Sequence, residues 1–431
     1  GSYLKSSVNN HYWYGGLSTL NYQANDKLAI SGGLDMRYYK GEHYSEIYDL
    51  LGGDYSVSND DENQLTAVKR EGDKIDYHND GIVKWGGVFS QAEYSNGMLS
   101  AFFNVSGSNS AYKRIDYFKK KDDSQYASTD WKWIRGYTVK TGANLNLDEY
   151  NNVFFNTGYI SKAPKFNNIY TNSNTLQAYI RNEKVKAIEG GYSYRSSLFS
   201  ANVNAYYTAW ENKPAYINET IGGIRYSDVV PMNALHKGVE IDLSYKFNQK
   251  LSLEGLLSLG DWRWTSGGEA ILLDYDNNAP SAELGHTNSD TLRYDADGVH
   301  VGDAAQTQYG LSVRYEPTYN SYIKIRGTYF DDYYSDFDAG TLKGDNSGRE
   351  SWVIPSYQLV DLHCGYTFKL SDKNKLDIRL SVLNLLDEMY ISDAQNNDSY
   401  NTPPQYDFDA KSASVFFGLG RRFNLSAKFS F

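Results

Sequence analysis

The last nine residues of the chain read Phe423-Asn-Leu-Ser-Ala-Lys-Phe-Ser-Phe431 and alternate strictly between apolar and polar side chains. Phe423 and Leu425 fall on one face of an extended strand, whereas Asn424 and Lys428 fall on the other. A period of two is typical of a strand that has one apolar side and one polar side. The end of the chain is therefore predicted to be an amphipathic β-strand.

The same alternation recurs along the chain as far as its beginning. It is clear in the segments 28–37, 201–208, 239–245, 311–315, 323–326, 360–368 and 376–382. With the turn residues between such segments, the pattern predicts fifteen strands, at 12–23, 28–41, 80–94, 98–111, 132–147, 151–162, 184–195, 198–211, 236–247, 250–264, 305–316, 319–333, 354–369, 374–388 and 416–431. The predicted fold is all-β and antiparallel, with residues 1–431 as a single domain.

Two architectures produce this pattern, a soluble β-sandwich and a transmembrane β-barrel. Long strands, aromatic residues at the strand ends and charges at the strand centres favour the barrel, whose apolar face meets lipid and whose polar face lines a lumen. The apolar face would include Cys364. The charged residues expected to face the lumen, or a plug inside it, are Arg37, Lys140, Glu189, Glu240, Asp242, Lys324, Arg326 and Arg379.

The connections alternate between short turns and long polar loops. The long loops are predicted at 44–78, 112–131, 163–183, 212–235, 265–304, 335–352 and 391–414. This arrangement is typical of bacterial outer-membrane barrels, with long loops extracellular and short turns periplasmic, and it puts the C-terminus in the periplasm. Bacterial barrels have even strand counts, so fifteen strands indicate that N-terminal strands are missing from this chain.

A break at residues 420–422 would instead give sixteen strands and a passive porin that closes by itself. The stretch from 421 to 431 covers roughly 25 Å of height as a tilted strand, which matches the lipid band. An uninterrupted last strand over 416–431 is therefore favoured, and the porin is kept as the alternative.

Composition excludes several other classes of protein. The chain has 42 Lys and Arg against 53 Asp and Glu, a net charge of −11, and no basic run, so a nucleic-acid partner is not expected. The single cysteine excludes internal disulfides and multi-cysteine metal sites. No G-x-S-x-G motif is present, and the acid pair at 148–149 lies in a short turn, so an enzyme is not expected.

Five segments have the order and spacing of a known family. They are Tyr159-Ile-Ser-Lys-Ala-Pro-Lys-Phe166, Ile188-Glu-Gly-Gly-Tyr-Ser-Tyr194, Tyr357-Gln-Leu-Val-Asp-Leu-His-Cys-Gly-Tyr366, Leu380-Ser-Val-Leu-Asn-Leu-Leu-Asp-Glu-Met-Tyr390 and Gly420-Arg-Arg-Phe-Asn424 ahead of a terminal Phe. Together they resemble the barrel of TonB-dependent outer-membrane receptors. The resemblance implies a 22-stranded barrel around an N-terminal plug, of which this chain would be the C-terminal portion without the plug.

The resemblance also implies a function. Such receptors import a scarce nutrient, here a metal chelate such as a siderophore or an oligosaccharide, and TonB would act through the missing N-terminal part. Phe429 and Phe431 would be read by the barrel-assembly machinery. Expected partners are outer-membrane lipid and lipopolysaccharide, the missing plug and strands, the nutrient and a surface lipoprotein over the loops.

Specificity is expected to lie in the long loops, because the barrel wall is rigid. Aromatic side chains that stack on a ligand are predicted to be Trp131, Trp133, Tyr170, Trp210, Trp262, Trp264, Tyr333 and Tyr334, with membrane-interface or loop packing as the alternative for each. Loop acids at Asp274, Asp276, Asp295 and Asp297 offer oxygen ligands for a structural calcium ion, with turn formation as the alternative. No other cofactor is expected.

Overall fold

The computed structural model describes residues 2–64, 67–119, 127–170, 176–177, 180–221, 223–272, 291–396 and 410–431. These residues form 22 β-strands, numbered β1 to β22 in chain order. Fifteen strands follow one another in a single sheet: β1 (Leu4–Asn25), β2 (Leu28–Asp49), β5 (Lys74–Ser95), β6 (Leu99–Asp116), β7 (Lys132–Asn146), β8 (Asn151–Lys162), β9 (Glu183–Arg195), β10 (Phe199–Ile221), β11 (Ile224–Lys246), β12 (Leu251–Trp264), β15 (Ala305–Tyr315), β16 (Ser321–Tyr334), β18 (Tyr357–Lys369), β19 (Lys375–Leu383) and β22 (Arg422–Ser430).

Each of these fifteen strands pairs antiparallel with the next, which confirms the all-β antiparallel prediction. A two-residue strand, β17 (Val353–Ile354), pairs with β16. The other strands form three small hairpins in connections between sheet strands: β3 (Ser56–Val57) with β4 (Val68–Lys69), β13 (Gly267–Ile271) with β14 (Thr291–Asp295), and β20 (Ile391–Asn396) with β21 (Ala413–Phe417). Within the described residues no helix is long and apolar enough to cross a bilayer.

The pairing register brings the apolar sides of all fifteen strands to one face of the sheet. Leu34 pairs with Val88, Val105 with Val139, and Val203 with Ile241. The same face continues through Leu257, Val313, Ile325, Leu362, Leu380 and Leu425. We call it the apolar face and the opposite side the polar face. Since a shift of one residue would send every apolar side chain to the other face, this agreement fixes the register.

Short turns join the strands at one end of the sheet, and most of them are closed by a polar side chain. The Asn25 side-chain oxygen accepts the backbone N–H groups of Lys27 and Leu28, at 2.9 and 3.0 Å. Asn96, Asp148 and Asn248 accept two backbone N–H groups in the same way in three later turns. Asn and Asp favour such turns because their side chains satisfy backbone donors locally.

At the other end the structure corrects several predicted loop boundaries. Strand β2 continues to Asp49 and β5 begins at Lys74, so the predicted loop 44–78 is shorter. The predicted loop 212–235 is wrong: β10 and β11 pair along this stretch as far as Ile221 and Ile224. The segment is rich in β-branched and aromatic residues but does not alternate, so a period of two does not mark it as a pair of strands.

Among the described residues, the largest apolar core lies at the long-loop ends of β10 and β11. Ile217, Met232, Tyr294 and Leu342 are nearly inaccessible and pack together from β10, β11, β14 and the connection after β16. Each such side chain contributes on the order of 1.5–3 kcal/mol by burial. The loop structures around β10 and β11 are therefore held by a core of their own.

The last hairpin contains a second correction. The predicted uninterrupted strand 416–431 is broken at 418–421, which separates β21 from β22. The break adds no turn, because β20–β21 continues the direction of β19–β22 past a bulge at 384–390. Asn384, at φ 49°, holds the bulge: its amide nitrogen donates to the carbonyl oxygen of Glu388 (2.8 Å) and its side-chain oxygen accepts the Glu388 N–H (2.9 Å). The number of long strands in the main sheet therefore stays at fifteen.

Candidate ligand-binding site on the polar face

All eight charged residues predicted for the lumen lie on the polar face. The register places there Arg37, Lys140, Glu189, Glu240, Asp242, Lys324, Arg326 and Arg379. Three of them bind carboxylates of the same face: Arg326 meets Asp361 at 2.7 Å, Arg37 meets Asp35 at 2.6 Å, and Lys324 meets Glu254. Contact of this face with a plug stays a prediction.

A row of three stacked rings crosses the polar face toward the long-loop end of β10, β11 and β12. The ring centroids of Trp210 and His236 are 5.7 Å apart, and those of His236 and Trp262 are 5.4 Å apart. The register sets the row, because His236 pairs with Thr208 on one side and with Trp262 on the other. The result is a flat aromatic surface carried by three rigid strands.

A β-bulge then brings a cation beside these rings. Between Trp210 and Lys213, strand β10 has two residues against the single Asn233 of β11, and Asn212 takes φ 59°. The extra residue returns Lys213 to the side of Trp210. The Lys213 ammonium lies 5.4 Å from the Trp210 ring centroid and 5.1 Å from that of Trp264, within the range of cation–π attraction.

A cavity of about 330 Å³ adjoins this cluster. Lys162, Lys165, Arg181 and Lys213 contribute four basic side chains to its lining, and Glu183 contributes one acid, paired with Lys162 at 3.1 Å. The remaining lining is mainly aromatic, proline, valine and asparagine side chains, including Trp210 and Tyr216. A net positive lining with aromatic walls suits an anionic ligand that also has flat or apolar surface.

A short 3-10 turn at Phe166–Asn168 forms one wall of the cavity. Asn168 is buried, and its side-chain oxygen accepts the hydroxyl of Tyr216 from the β10 extension. Tyr170 follows directly; it is buried and its hydroxyl donates to the carbonyl oxygen of Tyr112 at 2.7 Å. Tyr170, predicted as a ligand contact, therefore anchors the loop that forms the wall.

The other predicted aromatics do not join this site. Trp133 is 58% exposed on the apolar face, and Trp131 stacks on Lys84 with the ammonium 4.4 Å from its ring. Tyr333 is buried and donates its hydroxyl to the carbonyl oxygen of Ser392 at 2.8 Å. Tyr334 stacks on His300 at 4.0 Å. The structure thus brings together Trp210, Trp262 and Trp264, which belong to strands β10 and β12 rather than to loops.

The predicted calcium ligands divide into two pairs. Asp274 and Asp276 lie outside the described residues. Asp295 accepts the backbone N–H of Asp297 at 3.0 Å, which is the geometry of a turn. In the described part of the chain no three His, Cys, Asp or Glu side chains converge as a metal site.

Sequence reasoning missed several of the residues that form the site. His236 was visible as a polar-face residue, but only pairing of the predicted hairpins would have aligned it with Trp210 and Trp262. The bulge that orients Lys213 leaves no signal in the alternation. The basic side chains at 162, 165 and 181 lie within or directly beside the predicted loop 163–183, and their place at the two ends of this loop is the available clue.

Comparison with known protein families agrees with this architecture. Residues 1–385 match the family model described as "TonB dependent receptor-like, beta-barrel". The chain belongs to this family. No curated protein sequence matches the TonB-dependent receptor barrel described here.

Solved structures similar to this TonB-dependent receptor barrel include a copper transporter, OprC, with a TM-score of 0.68 and 12% identity over 99% of this chain. The unliganded ferric citrate transporter FecA gives a TM-score of 0.65 with 12% identity over 100% of the chain. The FrpB iron transporter from Neisseria meningitidis gives 0.62 with 15% identity over 98%. At these identities the likeness shows the fold alone. The chain spans 57%, 56% and 55% of the length of these three proteins.

Proposed function

We propose that residues 1–431 are the C-terminal portion of a 22-stranded barrel that spans the bacterial outer membrane, as one domain, around a plug supplied by an N-terminal part. Three observations support this. The family is that of TonB-dependent receptor barrels, the chain spans little more than half of its structural neighbours, and β1 and β22 each pair on one side only within the described residues. The long loops are extracellular in this arrangement, and Phe429 and Phe431 form the assembly signal at the periplasmic end.

The function that the geometry supports best is TonB-driven import of an anionic nutrient, with a metal chelate ahead of an oligosaccharide. The observation that carries it is the cavity lined by four basic side chains and one acid beside the row of Trp210, His236 and Trp262. Net positive charge favours anions, and many metal chelates are anionic. Three structural neighbours are named as copper, ferric citrate and iron transporters, which agrees with this ligand class.

The partners follow from the same arrangement. TonB acts through the N-terminal part, the plug contacts the polar-face charges such as Glu240 and Arg379, and the apolar face contacts lipid and lipopolysaccharide. A surface lipoprotein covers the loops in our proposal as a further partner. Nothing about the function requires a catalytic group.

Binding is tested with the purified full-length receptor that contains this chain. Ferric citrate, an anionic chelate, and maltohexaose, a neutral sugar, are titrated while tryptophan fluorescence is recorded, since Trp210, Trp262 and Trp264 lie in or beside the site. We expect quenching by the chelate, and an affinity about tenfold lower in Lys213→Gln, since one charge-assisted contact is lost. Lys250→Gln, in a short turn at the other end of the sheet, is the matched control.

Transport is tested in cells by uptake of radioactive iron from the same chelate. Uptake should require both the receptor and TonB, and it should fall in Lys213→Gln but not in Lys250→Gln. Equal binding of the neutral sugar, or equal binding by Lys213→Gln and wild type, would contradict the anionic ligand class. Uptake that persists without TonB would contradict active import.

A further inference from the structure

A second basic cluster lies on the opposite side of the wall, on the apolar face. Lys84 of β5 pairs with Ala111 of β6, which pairs with Trp133 of β7, so the three side chains form one row across the strands. On this face of β6, Lys113 follows Ala111 and lies one row nearer the long loops. On this face of β7, Arg135 follows Trp133 and lies one row nearer the apolar band. We call Lys84, Lys113 and Arg135 the outer basic patch.

On β5 and β7 the patch follows the apolar band after one intervening residue of this face, whereas on β6 Lys113 lies farther along the strand. On β7 the residues of this face run Val139, Tyr137, Arg135, from apolar to aromatic to cationic. Arg135 is four residues beyond Val139, roughly 13 Å along the strand. Such a sequence matches the depth profile of a membrane leaflet, in which hydrocarbon gives way to the interface and then to charged headgroups.

The positive charges of the patch are not compensated by nearby acids. Among the residues that the structure describes, Lys84, Lys113 and Arg135 form no ion pair; Lys84 has the Trp131 ring 4.4 Å away instead. Other cations of the same face are neutralised. Lys40 binds Asp80 at 2.9 Å and Glu42 at 3.1 Å, and Lys237 binds Asp261 at 3.0 Å.

Lys84 and Arg135 are exposed, and Trp133, in the row of Lys84 and next to Arg135 on this face of β7, is exposed as well. Two neighbouring cations beside an indole ring form a surface for a phosphate group whose carrier also has apolar chains. A free phosphate would contact the cations alone and leave the adjoining band of Val88, Val105 and Val139 uncovered. A phosphorylated lipid would contact the cations with its phosphate and the band with its acyl chains.

We propose that the outer basic patch binds the phosphate groups of an outer-leaflet glycolipid, with its acyl chains on the adjoining apolar band. The inference depends on the transmembrane placement of the sheet but not on the imported nutrient. Phosphate oxygens accept hydrogen bonds from Lys84 and Arg135, Lys113 adds charge, and Trp133 and Tyr137 lie at the level of the sugar.

The test is native mass spectrometry of the full-length receptor with added bisphosphorylated lipid A and with the same lipid after removal of its phosphates. Wild type should prefer the phosphorylated lipid, and Lys84→Gln with Arg135→Gln should reduce its affinity about 10- to 30-fold. The matched control is Lys40→Gln with Lys237→Gln, which removes two cations of the same face that already have carboxylate partners. Lys84→Arg with Arg135→Lys keeps the charge and should bind as wild type does.

Equal binding of both lipids by wild type, or equal affinity in the double Gln variant, would overturn the proposal. Competition by inorganic phosphate at millimolar concentration would overturn the lipid as the source of the phosphate. Folding of each variant is checked by its shift on unheated electrophoresis gels. The fluorescence titration with ferric citrate measures binding in the cavity on the polar face. Failure of the lipid proposal and failure of the proposed import can therefore be told apart.

Discussion

Asp336 lies in the connection after β16, outside the sheet, where its backbone N–H donates to the carbonyl oxygen of Ala394 at 2.9 Å. Burial, with the neighbouring Asp303 and Asp393, raises the pKa of Asp336 to about 6, although the Phe337 backbone N–H and Lys213 act in the opposite sense. Because the folded state holds this proton more tightly than the unfolded state, stability falls as pH rises from about 4 through 6.

Asp336→Asn should therefore stabilise the apolar core around Ile217 and Leu342 at pH 7.5. It should change the stability little at pH 5, where the wild-type carboxyl is mostly protonated. The gain expected at pH 7.5 is about 1–2 kcal/mol, less than the full shift implies because the side chain keeps some contact with solvent. Thermal unfolding of the receptor at both pH values measures it. Asp345→Asn, an exposed acid of the same connection, is the control, and an identical gain at pH 5 and pH 7.5 would rule out the explanation.

Asn384 is a second residue whose chemistry is fixed by its position. It is buried at φ 49°, its backbone N–H donates to Asp361 at 3.0 Å, and its side chain bonds both backbone groups of Glu388. Asn384→Ala loses the side-chain bonds and strains the backbone, so we expect a loss of about 2–4 kcal/mol. Asn384→Gly relieves only the strain and should lose about 1 kcal/mol less. The temperature at which the folded band disappears on electrophoresis gels reports both losses; equal values would show that the strain contributes nothing.

At the scale of elements, the bulge in β10 decides which side chains reach the cavity. Deleting Asn212 turns the bulge into regular pairing, in which Glu211 faces Asn233 and Lys213 still faces Met232, so the strand loses the bend that aims Lys213 at the Trp210 and Trp264 rings. We expect quenching by ferric citrate to be lost and the loop core around Ile217 to unfold at a lower temperature. Deletion of Asp372, from the exposed short turn between β18 and β19, is the control for a shortened chain. A deletion variant that still binds the chelate would show that the bulge is dispensable.

The strands could be predicted because each one is split between two environments, and the period of two records that split. The strand segments near Leu34, Val203 and Leu425 were found for this reason, and their faces agree with the register. The outer hairpin of β10 and β11 and the break at 418–421 were missed. Both lie beyond the band where the two faces differ, so local pairing and the Asn384 bulge, rather than alternation, set their structure.

The candidate site was predictable only in part, for a related reason. Residue type identified Trp210 and Trp262 as aromatics that could bind a ligand, but it identified Trp133 and Tyr170 equally well. What separates them is register and chain direction, which put Trp133 on the apolar face and bury Tyr170. Such information arises from pairing between strands that are distant in sequence.

For the whole molecule, the mean hydropathy of −0.61 and the net charge of −11 describe a hydrophilic chain, although one face of its sheet is continuously apolar. The two facts agree because only alternate residues of each strand belong to the apolar face, and long polar connections dilute them further. A barrel wall needs one apolar side, whereas a compact soluble domain of this size needs a central core. Average hydropathy therefore does not distinguish a barrel wall from a compact soluble domain, whereas the period-two pattern of apolar residues does.

The two edges of the sheet lead to the last prediction. Strand β1 extends over Leu4–Asn25 and pairs with β2 alone, and β22 pairs with β19 alone, within the described residues. In a bilayer each unpaired backbone group costs several kcal/mol, so a sheet with open edges is not stable there. Residues 1–431 refolded alone with lipid should give no heat-resistant folded band and no steady conductance in planar bilayers. Refolding together with the N-terminal part of the same receptor, produced separately, should restore the band, and the full-length receptor treated identically is the control. A stable, conducting species formed by residues 1–431 alone would mean that β1 and β22 close on each other, and the porin alternative would replace the plugged transporter.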